Sequence, residues 1–330
     1  MLLGVNKTIE RQGMSRKHLV YVDGQEGTTG LRIHEVLSAR SDIEVLKIDP
    51  DKRKDAAERA RLLNASDLSF LCLPDAASKE AAEMVTNPKT CLIDASTAFR
   101  TDPTWAFGLP ELAPSQRDAI RKNTRIANPG CHATAFILLM RPLVDAGLIS
   151  PAQALSATSI TGYSGGGKKM IEQYEAGGDP ELMAPRPYAL SLGHKHLPEM
   201  TMHSRLQATP IFMPIVGPFY KGLTVSIPLP MTALKAGSSG EALHGCLSAR
   251  YSEEAFIRVM PLSDPEVLAH GFFNSQRCND TNRVELFVFA SQTQAILMAC
   301  LDNLGKGASG AAVQNMNLHL GCDERAGLTA

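Results

Sequence analysis

The sequence predicts an α/β protein in two parts, with a parallel Rossmann-type sheet first and a mixed sheet second. Three observations predict it. Short apolar stretches at residues 18–23, 43–48, 68–73 and 90–94 alternate with helical patterns at about 29–40, 52–63 and 76–85. That alternation builds βαβ units around a parallel sheet. Strand-like stretches at 156–163, 211–216, 223–229, 256–260 and 284–290 then follow with fewer helices between them, the rhythm of a mixed or antiparallel sheet. Finally, a glycine-rich turn joins the first strand to the first helix.

The bulk numbers bound the reading. A chain of 330 residues is long enough for two domains. Lys and Arg number 33 against 34 Asp and Glu, so the chain lacks the net charge that draws proteins to nucleic acid or anionic membranes. Its longest apolar run, 133–140, ends at Arg141 and Pro142 and falls short of the roughly 18 residues of a membrane span. Residues 1–13 carry Lys7, Glu10 and Arg11 and do not resemble a secretory signal; Met14 reads as a second start, so fold reasoning begins there. Seven cysteines, an odd number without a CxxC pair, fit a reducing, cytoplasmic setting in which most act as small apolar residues.

The first strand ends at Asp23, and Gly24, Gly27 and Gly30 follow in a GxxGxxG turn that includes Thr28 and Thr29. Such a turn lets backbone N–H groups approach a pyrophosphate at the positive end of a helix, although a tight turn without a ligand uses the same glycines. Its place after the first strand of an alternating pattern favours the cofactor. Asp49, ending the second strand, suits the ribose hydroxyls of NAD, whereas Lys52 and Arg53 suit the 2′-phosphate of NADP, and the residues leave the two open. The third and fourth strands end at Pro74 and Asp94, and the domain boundary is expected near Asn128-Pro129-Gly130.

Immediately after that turn stands Cys131, ahead of an apolar helix expected over about 133–146. A cysteine at a helix N-terminus gains thiolate stability from the dipole and the unpaired N–H groups. The same N–H groups can hold an oxyanion. A small buried cysteine at an ordinary helix start is the plainer reading. Cys72 and Cys91 lie inside apolar strands, and the remaining cysteines have no comparable setting. A nucleophile needs a group to take its proton. His194 and His196, flanking Lys195 and followed by Glu199, are the candidates; Glu199 can fix a histidine tautomer. Two histidines also suit a metal, but the spacing offers no third ligand, and a solvated turn is the simple alternative. Ser164-Gly165-Gly166-Gly167-Lys168 permits close backbone approach by an anionic ligand, without the spacing of a Walker loop. The last stretch, 291–320, reads as two helices broken at Gly305-Lys306-Gly307.

Together these segments resemble the N-acetyl-gamma-glutamyl-phosphate reductase family in its shorter type-2 form. The resemblance rests on 24–30, 48–55, 94–100, 108–112, 128–131, 162–170, 194–199, 218–222 and 305–318, in order along nearly all of the chain after Met14. It implies a fold similar to aspartate-semialdehyde dehydrogenase, with a dinucleotide domain over 14–128, a catalytic and oligomerisation domain over 129–305, and a C-terminal return at 306–330. It also implies NADPH as cofactor, Cys131 as nucleophile through a thioester, His196 as acid–base group, and a homodimer or homotetramer. Ser96, Arg100, Lys168, His194, Lys195, Glu199 and Lys221 become candidates for the substrate's phosphate and carboxylate. Cofactor contacts fall to Gly24, Gly27, Thr28, Thr29, Gly30, Lys52, Arg53, Ser164, Gly165 and Gly166. One departure is His132-Ala133-Thr134, where the family pattern has Tyr-Pro-Thr. Rival readings are reduction of an aspartyl or amino-adipyl phosphate, a dinucleotide-sensing protein without turnover, and a cysteine hydrolase, which gives the glycine turn no purpose.

Overall fold

The computed structural model describes residues 16–330; the suggested start at Met14 and the residues before it lie outside them. The first sheet arises as the alternation predicts. Strand β1 (His18–Asp23) leads to α1 (Thr28–Ser38), β2 (Ile43–Leu46), α2 (Ala56–Ala65), β3 (Leu68–Leu71), α3 (Asp75–Glu83) and β4 (Cys91–Asp94). Two short strands, β5 (Ala106–Phe107) and β6 (Arg125–Ala127), flank α4 (Gln116–Lys122). The order is β2-β1-β3-β4-β6-β5, and every pair is parallel. Helices cover both faces, so β3 and β4 are buried at every residue, as central parallel strands must be. Val20, Val22, Phe70 and Ile93 pack on one side of this sheet, and Tyr21, Leu71 and Leu92 on the other.

The second sheet has seven strands and mixed directions. Helix α5 (Cys131–Asp145) leads into β7 (Ser156–Gly162), α6 (Lys168–Ala176), β8 (Arg186–Pro187), α7 (Leu197–His203), β9 (Ile211–Gly217), β10 (Leu223–Pro230) and α8 (Gly240–Tyr251). After β11 (Ile257–Val259) and a small hairpin, β12 (Leu268–Ala269) with β13 (Phe272–Phe273), come the long strands β14 (Val284–Ala290) and β15 (Gln294–Leu301). The order is β11-β14-β15-β10-β7-β9-β8. Here one expectation fails. The first half of 291–320 is not helical; it is β15, hydrogen-bonded between β10 and β14. A short apolar run without Gly or Pro does not distinguish a buried strand from a buried helix by periodicity, and the open edges of two neighbours decided it. Only the second half forms helix: a π-turn over Gly305–Ser309 runs into α9 (Gly310–His319). Ala312, Val313, Met316 and Leu318 of α9 bury in the core of the first sheet, so the chain crosses back to where it began.

Helix α5 is the core of the second part, buried from His132 to Val144. Pro142 sits inside it and has no N–H to give the carbonyl four residues back. That carbonyl, on Leu138, accepts instead from the Tyr251 hydroxyl at 2.8 Å, and Tyr251 is buried at the end of α8. Tyr251→Phe leaves a buried carbonyl unpaired, and a loss of about 1–3 kcal/mol of stability is expected in urea unfolding. A change under about 0.5 kcal/mol would mean that the carbonyl finds another donor.

Candidate active site

The two sheets meet where their strands end, and the joint is a cavity of about 490 Å³. Three chain segments converge on it. The first is the start of α1. Gly24 has φ +85°, and a Cβ there would sit 2.3 Å from the Cys72 carbonyl oxygen; one on Gly30 would sit 2.6 Å from the Gly24 carbonyl. Only glycine therefore lets α1 close against the strands. Gly27 caps α1 without any side-chain hydrogen bond, so the first-turn N–H groups remain available beside Thr28 and Thr29 at the cavity wall.

The second segment is the Asn-Pro-Gly turn. The Asn128 amide donates to the Ala308 carbonyl at 3.0 Å and accepts from Asn315 at 3.2 Å, which ties the turn to the returning C-terminal segment. Cys131 is the first residue of α5, with Gly130 as its cap. Gly307 presses so closely on it that a Cβ there would meet the Cys131 Cβ at 2.8 Å. The π-turn that carries Gly307 is anchored by Lys306, fully buried and paired with Glu111 at 2.7 Å. Gln314 completes that network by donating to Glu111 at 2.9 Å.

The third segment is 194–196. His194 Nδ1 accepts from the His196 backbone N–H at 3.1 Å, which turns the two rings perpendicular with centroids 4.8 Å apart. A Cβ on Gly130 would lie 2.4 Å from His196 Nε2 and 2.5 Å from Arg100 Nη1. The Nε2 edge of His196 therefore lies against the residue next to Cys131. His196 Nδ1 is buried and finds no partner among the described residues.

The electrostatics differ from the helix-dipole expectation. Burial pushes the Cys131 thiol up to about 11, outweighing the lowering by its neighbour's backbone N–H and by Arg100. Burial, then Arg100, hold His196 well below the ordinary histidine value, and burial and Lys195 lower His194 to about 4. The resting pair is a neutral thiol beside a neutral imidazole.

Several expected contacts are not made. Glu199 fixes no histidine and does not line the cavity. One oxygen holds Arg100 Nη1 at 2.6 Å and the other accepts from the Gly130 N–H at 3.1 Å, because α7 begins with its first turn against the Asn-Pro-Gly turn. Arg100 does line the cavity, and its Nε is buried without a partner among the described residues. The Ser96 hydroxyl is spent on Asp94 at 2.7 Å behind the wall. Lys221 faces the neighbouring cavity under α1 and pairs with Asp280 at 2.5 Å. Lys195 and Lys168 stand exposed at the rim, Lys168 within 3.9 Å of Glu172. Ser164, Gly165 and Gly166 line the wall, where the Ser164 hydroxyl accepts from Asn303 at 3.0 Å.

On the far side of the glycine turn a second cavity, about 660 Å³, runs beside Gly24 and Glu26 and shares Leu73 with the first. Arg53, Lys54 and Arg59 line it; Lys52 does not. Arg53 pairs with Glu26, and Arg59 with Asp23 at 2.8 Å. Asp49 caps its own turn by accepting from the Asp51 N–H at 3.0 Å. Sequence reasoning missed Lys54 and Arg59 because only the fold brings α2 and the turn before it back across the end of β1. Among the described residues no group of three or more His, Cys, Asp or Glu is placed to hold a metal ion.

A family model described as "Semialdehyde dehydrogenase, NAD binding domain" matches residues 17–120, and one described as "Semialdehyde dehydrogenase, dimerisation domain" matches 131–303. The N-acetyl-gamma-glutamyl-phosphate reductase 2 of Nostoc sp. is 44% identical, covering 94% of this chain and 99% of the relative. The chain belongs to the N-acetyl-gamma-glutamyl-phosphate reductase family. Relatives bearing the same name, without the final numeral, from Chelativorans sp. and Burkholderia lata are 45% and 43% identical and cover 91% and 92% of this chain. The family's fold extends to aspartate semialdehyde dehydrogenase II of Vibrio cholerae, complexed with ASA. That structure has a TM-score of 0.67 at 15% identity and covers 93% of this chain and 99% of its own. The Candida albicans aspartate semialdehyde dehydrogenase with NADP has a TM-score of 0.63, also at 15% identity, covering 92% of this chain and 98% of its own.

Proposed function

We propose that this chain reduces N-acetyl-gamma-glutamyl phosphate to the 5-semialdehyde with release of phosphate, using NADPH and a thioester on Cys131. The observation that carries the reading is the convergence of Cys131, His196 and the uncapped start of α1 on one cavity, in a chain of this family. The site fits a dinucleotide. Gly27, Thr28 and Thr29 suit its pyrophosphate, with Gly24 and Gly30 letting the turn close behind them, and Ser164, Gly165 and Gly166 suit its inner half. Arg53 and Lys54, with Lys52 just outside, suit a 2′-phosphate. When bound, the reduced cofactor supplies the hydride.

The protein's own steps follow from the neutral resting pair. His196 takes the proton as Cys131 Sγ attacks the acyl carbon and passes it to the leaving oxygen; the S–C bond forms, the bond from the acyl carbon to that oxygen breaks, and inorganic phosphate leaves as hydrogen phosphate. The thioester carbonyl, unlike a carboxylate, accepts a hydride. Breaking the S–C bond then releases the aldehyde and returns the thiolate, which takes one proton from solvent by way of His196, the proton that the net reduction consumes. The N–H groups at the start of α5 face the developing oxyanion. Arg100 and Lys195 supply positive charge for the phosphate and the substrate carboxylate, with Lys168 and His194 at the same wall. No role on substrate is assigned to Ser96, Glu199 or Lys221.

We place the domain division at 14–128 and 129–305, with 306–330 returning, and read the protein as a cytoplasmic homodimer or homotetramer. No helix of the described residues is long and apolar enough to cross a membrane. The outer face of the second sheet leaves Ile160, Ile211, Met213 and Ile296 exposed, a surface suited to another copy. Oxidation of N-acetylglutamate semialdehyde that requires both NADP⁺ and phosphate tests the activity. A preference for NADPH over NADH is expected in paired titrations, about tenfold or more from one charge-assisted phosphate pair. Equal affinities would remove the case for NADP.

A further inference from the structure

His132, the residue that departs from the family pattern, is wholly inside the protein and bridges two hydroxyls. Its Nδ1 lies 2.8 Å from Ser159 Oγ and its Nε2 lies 3.1 Å from Tyr188 Oη. Its ring sits 5.4 Å from those of His194 and His196, and all three residues line the cavity that holds Cys131. Tyr188 lines the cavity that holds Cys131, and its backbone is fixed by a 3.0 Å bond from its N–H to the Pro214 carbonyl.

The proton positions follow from counting donors. Burial drives the His132 imidazole down to about 3, so the ring is neutral and carries one N–H. Were that proton on Nδ1, the buried Ser159 hydroxyl hydrogen would have no acceptor, since His132 is its one side-chain partner among the described residues. With the proton on Nε2, Ser159 donates to Nδ1 and Nε2–H donates to the Tyr188 oxygen. Both buried donors of the bridge, the Ser159 hydroxyl and the His132 ring N–H, are then satisfied. The Tyr188 hydroxyl hydrogen has only the cavity left to point into.

Resting on the reductase reading above, we propose that Tyr188 is a substrate-binding residue that donates a hydrogen bond to the carbonyl oxygen of the substrate's acylamino group, and that His132 is the positioning residue that aims it. An uncharged donor backed by an uncharged imidazole matches an uncharged acceptor. The substrate's charged groups have Arg100 and Lys195 on other parts of the wall.

The test uses the semialdehyde oxidation assay with NADP⁺ and phosphate. Tyr188→Phe is expected to raise KM for N-acetylglutamate semialdehyde about tenfold, the worth of one neutral hydrogen bond, with kcat within about threefold. NADPH affinity by fluorescence titration and KM for phosphate stay unchanged. His132→Phe gives the same rise, the double variant no more than Tyr188→Phe alone, and His132→Gln, whose amide can accept from Ser159 and donate to Tyr188, restores a near-normal KM. A Tyr188→Phe enzyme with unaltered KM overturns the inference, as do additive effects of the two Phe variants, and Tyr188→Phe keeps it testable if position 132 tolerates no change. Wild-type turnover in the same assay is the separate check on the reductase reading itself.

Discussion

Cys131→Ser is expected to fold, bind NADPH and lose nearly all reductase activity, a fall of about 10⁴-fold or more. The site makes the thiol hard to replace. At the first position of α5 the Sγ stands beside Gly130, whose other side is the His196 ring, and beneath Gly307 of the returning turn. A serine fits that volume, so the cavity and the glycine turn survive. A hydroxyl is far less acidic than even a thiol raised to about 11, and its ester resists hydride attack where a thioester accepts it. Wild-type protein incubated with acyl phosphate and no cofactor should carry a trappable acyl group on Cys131. Substantial turnover by the serine variant, or an acyl group found by mass spectrometry on another residue, would refute the thioester route.

His196→Asn should slow turnover by about 10²–10⁴-fold while leaving cofactor affinity intact. The upper figure follows from the thiol itself: with its pKa near 11, about one molecule in 10⁴ holds a thiolate at pH 7 unless a base removes the proton during attack. The sign of the pH dependence separates the cases. In the wild type, His196 is held well below its ordinary value and Cys131 is raised to about 11, so the reactive neutral pair dominates between those limits and kcat/KM stays flat near neutrality. Without the base, rate depends on free thiolate and climbs about tenfold per pH unit below 11. Should His194→Asn be the damaging change and show that slope, the two histidines exchange roles.

Much of this was legible in residue order. The βαβ alternation, the glycine turn after β1 and the Asn-Pro-Gly-Cys start of α5 are local patterns, set by strand length, helix period and turn chemistry over a few residues. Those patterns placed Cys131 at a helix start and His196 near the site. They failed where the deciding contact lay far along the chain. Glu199 stands three residues from His196 in the sequence, yet its oxygens reach Arg100 and Gly130. The segment over β15 carries an apolar run that either structure can bury, and its register against β10 and β14 chose strand.

By itself the sequence determined the fold class, the place of Cys131 at a helix start and the family, because each is carried by short-range pattern or by motifs in fixed order. Only the tertiary structure decided the state of those groups. The dipole that favours a Cys131 thiolate is a property of one helix. The burial that raises the thiol comes from three segments closing around it, among them Gly307, which lies 176 positions further on in the numbering. The same holds for His132 and Tyr188, 56 residues apart, whose hydrogen bond exists because β7, α5 and the strand edge at β8 fold onto one wall. Desolvation and hydrogen-bond partnership depend on everything that surrounds a group, and surroundings are what a linear reading lacks.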